Sequence, residues 1–188
     1  MMIKSTEKQL TVLNKLVELE ESLGRLYEVY AEVFPEYRKF WSDLADEEGQ
    51  YAEWLRKLHT HVVQGSATFS ENRFNEVAIQ TFINYLNNEY EKVMNRERAL
   101  INALSITLYI EESLMEREYF EVIDGDSNEL KQTLSNLASA TQSHIEQVRE
   151  TFNVYKKAIL QENDEVALAS KIAASFQNNA IPVTITRW

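Results

Sequence analysis

Residues 10–34 read LTVLNKLVELEESLGRLYEVYAEVF, and this stretch carries the pattern on which the fold prediction depends. Apolar or small side chains recur in it every three or four residues, which is the spacing of one buried face of an α-helix. They are Leu10, Leu13, Leu16, Leu23, Tyr27, Ala31 and Phe34. Thr6 followed by Gln9 fits a capping box, and Pro35 cannot continue the helix. The pattern therefore predicts a helix from about Thr6 to Phe34.

The same spacing recurs along the rest of the chain and predicts further helices. Little interrupts it, because the 188 residues include only 4 glycines and 2 prolines. β-Sandwiches and barrels need many tight turns, so this composition argues against them. The predicted helices are Glu36–Val63, Glu76–Asn95, Arg96–Ile123, a helix capped by Asp126 that ends near Leu160, and a short helix Asp164–Gln177.

Four long helices joined by short, long and short links predict an all-α four-helix bundle. In this arrangement two antiparallel helical hairpins are joined by a long crossover, which contains the segment Glu76–Asn95. We expect a single domain over residues 1–188. The bundle would occupy about residues 6–160, and the short C-terminal helix and tail about residues 164–188.

The charge and cysteine content exclude several classes of function. The chain has 19 lysines and arginines against 30 aspartates and glutamates, a net charge of −11. This acidity argues against a protein that binds nucleic-acid backbones or anionic membranes. The lack of cysteine removes disulfide scaffolds, thiolate-bound metal and thiol catalysis. Because no apolar run of about 20 residues and no signal-like N-terminus occur, we expect a soluble, cytoplasmic protein.

Polar residues stand near the middle of each long helix, where the spacing requires apolar ones. They are Glu20 on the first helix, Glu48 on the second, Glu112 or its neighbour Glu111 on the third, and Thr141 and His144 on the fourth. Buried carboxylates without a counter-charge are costly, and a cation would relieve both their desolvation and their mutual repulsion. Carboxylates with an imidazole suit iron, manganese or zinc. The sequence thus predicts a metal site built on Glu20, Glu48, Glu112 and His144.

These polar positions repeat between the two halves of the chain. Glu20-Glu21-Ser22-Leu23 recurs as Glu111-Glu112-Ser113-Leu114. Tyrosine follows seven residues after both Glu20 and Glu112, at Tyr27 and Tyr119, and the pairs Glu48/Tyr51 and Thr141/His144 have the same spacing. With these motifs the chain resembles the ferritin-like superfamily, most closely its rubrerythrin-type members, over about residues 6–160. In that family a Glu–Tyr pair and a Glu-x-x-His motif recur in each hairpin and hold two irons.

The resemblance implies an iron-dependent oxidoreductase that acts on dioxygen or peroxide. Four of the six family ligands are present, while Tyr51 stands in place of a histidine and Thr141 in place of a glutamate. The expected cofactor is one or two iron ions, with manganese or zinc as other candidates. Tyr27 and Tyr119 would donate hydrogen bonds to ligands, and Tyr51 could itself ligate ferric iron.

The resemblance also implies a homodimer and, because the chain has no cysteine-ligated iron domain, electrons from a redox partner or from ferrous iron itself. The replacements at Tyr51 and Thr141 leave a second hypothesis open. A bundle of this kind could have lost its metal and serve as a metal-free interaction or structural protein.

Overall fold

The computed structural model describes the backbone at residues 2–69, 74–116 and 127–178, and the side chains at residues 6–69, 74–114 and 127–162. Every regular element in these ranges is helical, which confirms the predicted all-α class. In chain order the elements are α1 Met2–Val33, a 3₁₀ turn Pro35–Tyr37, α2 Arg38–Val63, α3 Glu76–Met94, α4 Leu100–Glu116 and α5 Asn128–Asn178. Among the described helices, none is both long and apolar enough to cross a membrane.

α1 and α2 form the most extensive helix–helix contact of the molecule. The chain turns at Phe34, whose backbone N–H still bonds to the carbonyl of Tyr30, and Pro35 opens the 3₁₀ turn. Proline is tolerated at the first position of a helix because its missing N–H has no partner there. α2 ends at the predicted residue, Val63, where Gly65 adopts a left-handed backbone and closes a Schellman motif.

The segment predicted to lie in the crossover forms α3, which packs against α1. The side chain of Asn75 caps α3 by accepting the backbone N–H groups of Val77 and Ala78. α3 also buries a carboxylate, Glu89, whose two oxygens accept 2.9 and 3.0 Å hydrogen bonds from the guanidinium of Arg98. This buried acid therefore has a permanent counter-charge from within the chain.

The starts of α1, α4 and α5 differ from their predicted positions. α1 begins at Met2 rather than Thr6, so Thr6 lies within the helix and the predicted capping box is wrong. α4 begins at Leu100 rather than Arg96, because Arg96 has a left-handed backbone with φ of 57° and ends the preceding helix. The Oγ of Ser127 accepts the N–H of Leu130 and so caps α5. The predicted cap at Asp126 and the predicted helix end at Ile123 lie outside the described residues.

α5 continues without a break to Asn178, so the prediction of a separate short helix Asp164–Gln177 is wrong. Residues 161–163 read Gln-Glu-Asn and contain neither proline nor glycine. Without a residue that removes a hydrogen bond or frees the backbone, the helix has no local reason to end.

A single hydrophobic core joins the five described helices, with α4 packed on α5 and α5 on α2. Fully buried members from successive helices are Leu13, Leu55, Ile83, Leu104 and Leu134. Hydrogen bonds and close polar contacts link the middle of α1 to α4 and the middle of α2 to α5. Polar side chains within the core therefore connect these helices in pairs.

Gly24 marks a close approach between α1 and α2. A Cβ atom at this position would lie 3.6 Å from the carbonyl oxygen of Ala45 and 3.7 Å from the Cβ of Glu48. These are ordinary van der Waals distances, so the site can accommodate one methyl group.

We therefore expect Gly24→Ala to raise the free energy of unfolding by roughly 0.5–1 kcal/mol, because alanine loses less backbone entropy in a helix. Gly49→Ala is the matched control, since a Cβ at Gly49 in the same hairpin has no neighbour within 4 Å. Urea unfolding followed by circular dichroism measures both changes. If Gly49→Ala raises the free energy of unfolding while Gly24→Ala lowers it, the contact between α1 and α2 cannot accommodate the methyl group.

Candidate metal centre

Four helices each place a buried charged or titratable side chain in the shared group. Their residue exposures are 3% for Glu20 on α1, 2% for Glu48 on α2, 1% for Glu111 on α4 and 1% for His144 on α5. Each belongs to a predominantly apolar helix face, so its burial follows from the burial of its neighbours. The chain thus assembles three carboxyl groups and one imidazole inside the core.

His144 stands at the centre of this group. Its Nδ1 lies 3.2 Å from Oε1 of Glu48 and 3.4 Å from Oε1 of Glu111. One ligand atom from each of these three residues lies within 4.8 Å of the other two. Within the described part of the chain, neither carboxylate forms an ion pair with a lysine or arginine. This distinguishes them from Glu89, which Arg98 neutralises.

The structure places Glu111, and not Glu112, in the group. The Glu112 side chain is 43% exposed and forms a 2.7 Å ion pair with Arg149 on the outside of α4 and α5. Glu111 instead points inward and accepts a 2.6 Å hydrogen bond from the hydroxyl of Tyr27. Glu112 was the predicted ligand and Glu111 its alternative. Because neighbouring residues differ by about 100° around a helix axis, only one of them can face the interior.

Glu20 reaches the group through Glu48. Burial raises the pKa of the Glu20 carboxyl well above its ordinary value, and the charge of Glu48 and a hydrogen bond to it raise this pKa further. Burial also raises the pKa of Glu48, while hydrogen bonds to His144 and to Glu20 lower it. The larger rise at Glu20 favours its protonated form as the donor of the hydrogen bond to Glu48.

Four further residues were predicted at or beside the site. Tyr27 donates to Glu111, as the resemblance implied for a tyrosine beside a ligand. Thr141 is buried one turn before His144 on α5. Tyr51 directs its hydroxyl to Oε2 of Glu47 at 3.1 Å, and to Nε2 of His144 at the longer distance of 3.5 Å. Tyr119 lies outside the described residues.

Glu47 is a member of the group that the sequence analysis did not identify. Its Oε2 lies 2.8 Å from Nε2 of His144, although its side chain is 40% exposed. Glu47 falls outside the apolar stripe of α2, so helical periodicity alone assigns it to solvent. The sequence signal that could have identified Glu47 was its position four residues before Tyr51, because residues at this spacing are neighbours on a helix.

The donor set is chemically suited to a first-row transition metal. Glu48 and Glu111 supply carboxylate oxygens, His144 supplies an imidazole nitrogen, and Glu20 can add an oxygen if it gives up its proton. Carboxylate with imidazole is a set that iron, manganese and zinc accept. The residues present therefore fit a metal ion of this class, although the predicted Glu112 is not among them.

Comparison of the chain with models of known protein families, with characterised proteins and with solved structures gives no match. The geometry of the buried group therefore carries the functional argument.

The charges around His144 generate a pH-dependent stability for the metal-free protein. Burial alone lowers the pKa of His144, but hydrogen bonds to Glu111 and Glu48 and their charges raise it to about 11. A raised pKa means that the folded state binds the proton more tightly than the unfolded state. This contribution to stability is complete below the ordinary histidine pKa, near 6.5, and is lost as the pH rises toward about 11.

We expect the metal-free protein to lose on the order of 2 kcal/mol of unfolding free energy between pH 7 and pH 9. The raised pKa of Glu20 acts in the same direction, since ionising this acid costs more in the folded state. Urea unfolding in the presence of a chelator measures the slope. His144→Gln should flatten it. An equal slope in wild type and His144→Gln would contradict the assigned contacts.

Proposed function

We propose that the protein binds one transition-metal ion between Glu48, Glu111 and His144. The observation that carries this proposal is the convergence of two buried carboxylates and one imidazole nitrogen without a lysine or arginine among their described ion pairs. A divalent ion would displace the proton from Nδ1 of His144, bring a larger positive charge than the imidazolium, and replace the water that the carboxylates lose on burial. Glu20, hydrogen-bonded to Glu48, would serve as a further oxygen ligand once deprotonated.

One ion suits the group better than two. A second ion would need a second nitrogen ligand and further carboxylates, but Tyr51 stands where the resemblance expects the second histidine, and its hydroxyl bonds to Glu47. Thr141, at the position where the resemblance expects a fourth glutamate, brings no negative charge. The charge and the donors available on the Nδ1 side of His144 therefore correspond to a single ion.

We propose further that the helices form a ferritin-like bundle and that the ion is iron. The helices α1, α2, α4 and α5 contribute Glu20, Glu48, Glu111 and His144 to the buried group, as the rubrerythrin-type resemblance implies for four helices of a bundle. Bound iron would supply a ferrous–ferric couple able to reduce dioxygen or peroxide. The protein would bury the ion and keep Glu111 oriented through Tyr27. A cytoplasmic homodimer supplied with electrons by a partner, or by ferrous iron itself, completes this proposal.

A specific observation favours a second candidate, a metal-free helical interaction protein. The buried group already forms a continuous hydrogen-bonded network: Glu20 donates to Glu48, and the imidazolium of His144 lies between Glu48 and Glu111. Such a network lowers the cost of the buried charges without a metal.

Under this candidate, replacing both Glu20 and Glu48 by leucine should stabilise the protein, because an apolar core of similar volume avoids desolvation.

Substitution of adjacent glutamates on α4 tests the metal proposal. We expect Glu111→Gln to weaken Co²⁺ binding at least about 100-fold, because the amide cannot provide a charged ligand oxygen. Glu112→Gln, one residue away on the exposed face, should leave the affinity within roughly threefold of wild type. Competition with a chromophoric chelator gives the affinities, and elemental analysis after anaerobic ferrous loading gives the number of ions per chain.

A wild-type protein that holds no cobalt and no iron after anaerobic loading would refute the metal proposal and favour the metal-free network. Equal losses in Glu111→Gln and Glu112→Gln would also contradict it, since the bound ion would then be held at the surface. Two ions per chain would retain a metal function but overturn the single-ion assignment.

A further inference from the structure

We propose that Glu47 and Tyr51 are positioning residues that hold the His144 imidazole with Nδ1 directed at Glu48 and Glu111. This inference rests on the proposed metal site and concerns residues that would not touch the ion. It assigns Tyr51 a role different from that of a ligand, and it gives a role to Glu47, which the sequence pattern places in solvent.

The two nitrogens of His144 face opposite environments. Nδ1 lies within 3.4 Å of oxygens from both buried carboxylates, whereas Nε2 lies 2.8 Å from Oε2 of Glu47 at the edge of the core. A carboxylate oxygen can only accept a hydrogen bond, so Nε2 must carry the proton in this contact. Because Nε2 keeps its proton, the imidazolium loses its other proton from Nδ1. The lone pair that this leaves on Nδ1 can then bind a metal ion.

Tyr51 fixes both the carboxylate and the ring. Its hydroxyl donates a 3.1 Å hydrogen bond to the same oxygen of Glu47 that contacts His144. Its ring lies against the imidazole, with centroids 5.6 Å apart and an interplanar angle of 33°. Glu47 therefore cannot rotate into solvent without losing two partners, and the imidazole cannot swing toward α2 without meeting the phenol ring.

The same contacts argue against Tyr51 as a metal ligand. Its hydroxyl is committed to Glu47, on the side of the imidazole opposite to Glu48 and Glu111. Burial raises the pKa of the Tyr51 hydroxyl, and the negative charges of Glu47 and Glu48 raise it further, which disfavours the phenolate that ligation requires. A carboxylate that accepts the second N–H of a ligating histidine is a recurrent arrangement in metal sites, and it orients the ring.

Glu112 provides a matched control for Glu47. Each is a half-exposed glutamate that directly neighbours a proposed ligand in sequence, with side-chain exposures of 43% and 40%. Each also has one polar partner on α5, but only Glu47 contacts His144. The comparison of Glu47→Ala with Glu112→Ala therefore separates the contact with the imidazole from the loss of a surface charge near the site.

We expect Glu47→Ala to weaken Co²⁺ binding about 10- to 100-fold, and Glu112→Ala to change it no more than roughly twofold. Glu47→Gln should recover most of the affinity, because its amide oxygen still accepts the Nε2 proton. Long-range ¹H–¹⁵N NMR of the zinc-loaded protein should show His144 protonated at Nε2 and metal-bound at Nδ1. Far-UV circular dichroism verifies that each variant is folded.

Each of five outcomes would overturn the inference. Equal affinities in Glu47→Ala and Glu112→Ala would remove any effect of the contact, and equal losses in Glu47→Ala and Glu47→Gln would reduce it to a charge effect. Zinc bound at Nε2 would reverse the assigned orientation. A wild-type protein that binds no metal would refute the proposed function together with this inference. Metal binding lost in Glu111→Gln but retained in Glu47→Ala would refute the positioning role alone.

Discussion

Burial of Glu20, Glu48 and Glu111 around His144 is the constraint that distinguishes this helical protein from an ordinary apolar bundle. Each carboxyl loses its hydration when its helix packs, and the chain compensates in three ways. Glu20 keeps a proton, Tyr27 donates to Glu111, and the imidazole lies between the two remaining acids. The contrast with Glu89, neutralised by Arg98, shows that the same chain can bury a carboxylate with a permanent counter-charge.

The helical class and most helix bounds were predictable because they depend on local patterns. The stripe in residues 10–34, the proline at residue 35 and the low glycine content indicated helices, and the bounds of α2 and α3 agree closely with the prediction. The errors occurred where local signals are weak. The polar stretch 161–163 was interpreted as a break, although nothing in it prevents a helix, and the left-handed conformation of Arg96 gives no sequence signal comparable to glycine.

The buried polar group was predictable in part, but not in every residue. Periodicity identified Glu20, Glu48 and His144, because a polar residue on an apolar stripe is conspicuous. It could not choose between Glu111 and Glu112, since the choice depends on the rotation of α4 about its axis, which packing against α5 sets. Glu47 was missed because its role depends on a contact with another helix, and a half-exposed glutamate resembles any other in sequence.

The most direct test of the account is anomalous diffraction at the cobalt edge from crystals of the Co²⁺-loaded protein. We expect one anomalous peak per chain, at bonding distance from a carboxylate oxygen of Glu48, a carboxylate oxygen of Glu111 and Nδ1 of His144. No peak at this group, or a peak held by Glu112 on the outside of α4, would contradict the claim that the buried carboxylates are assembled around a metal ion.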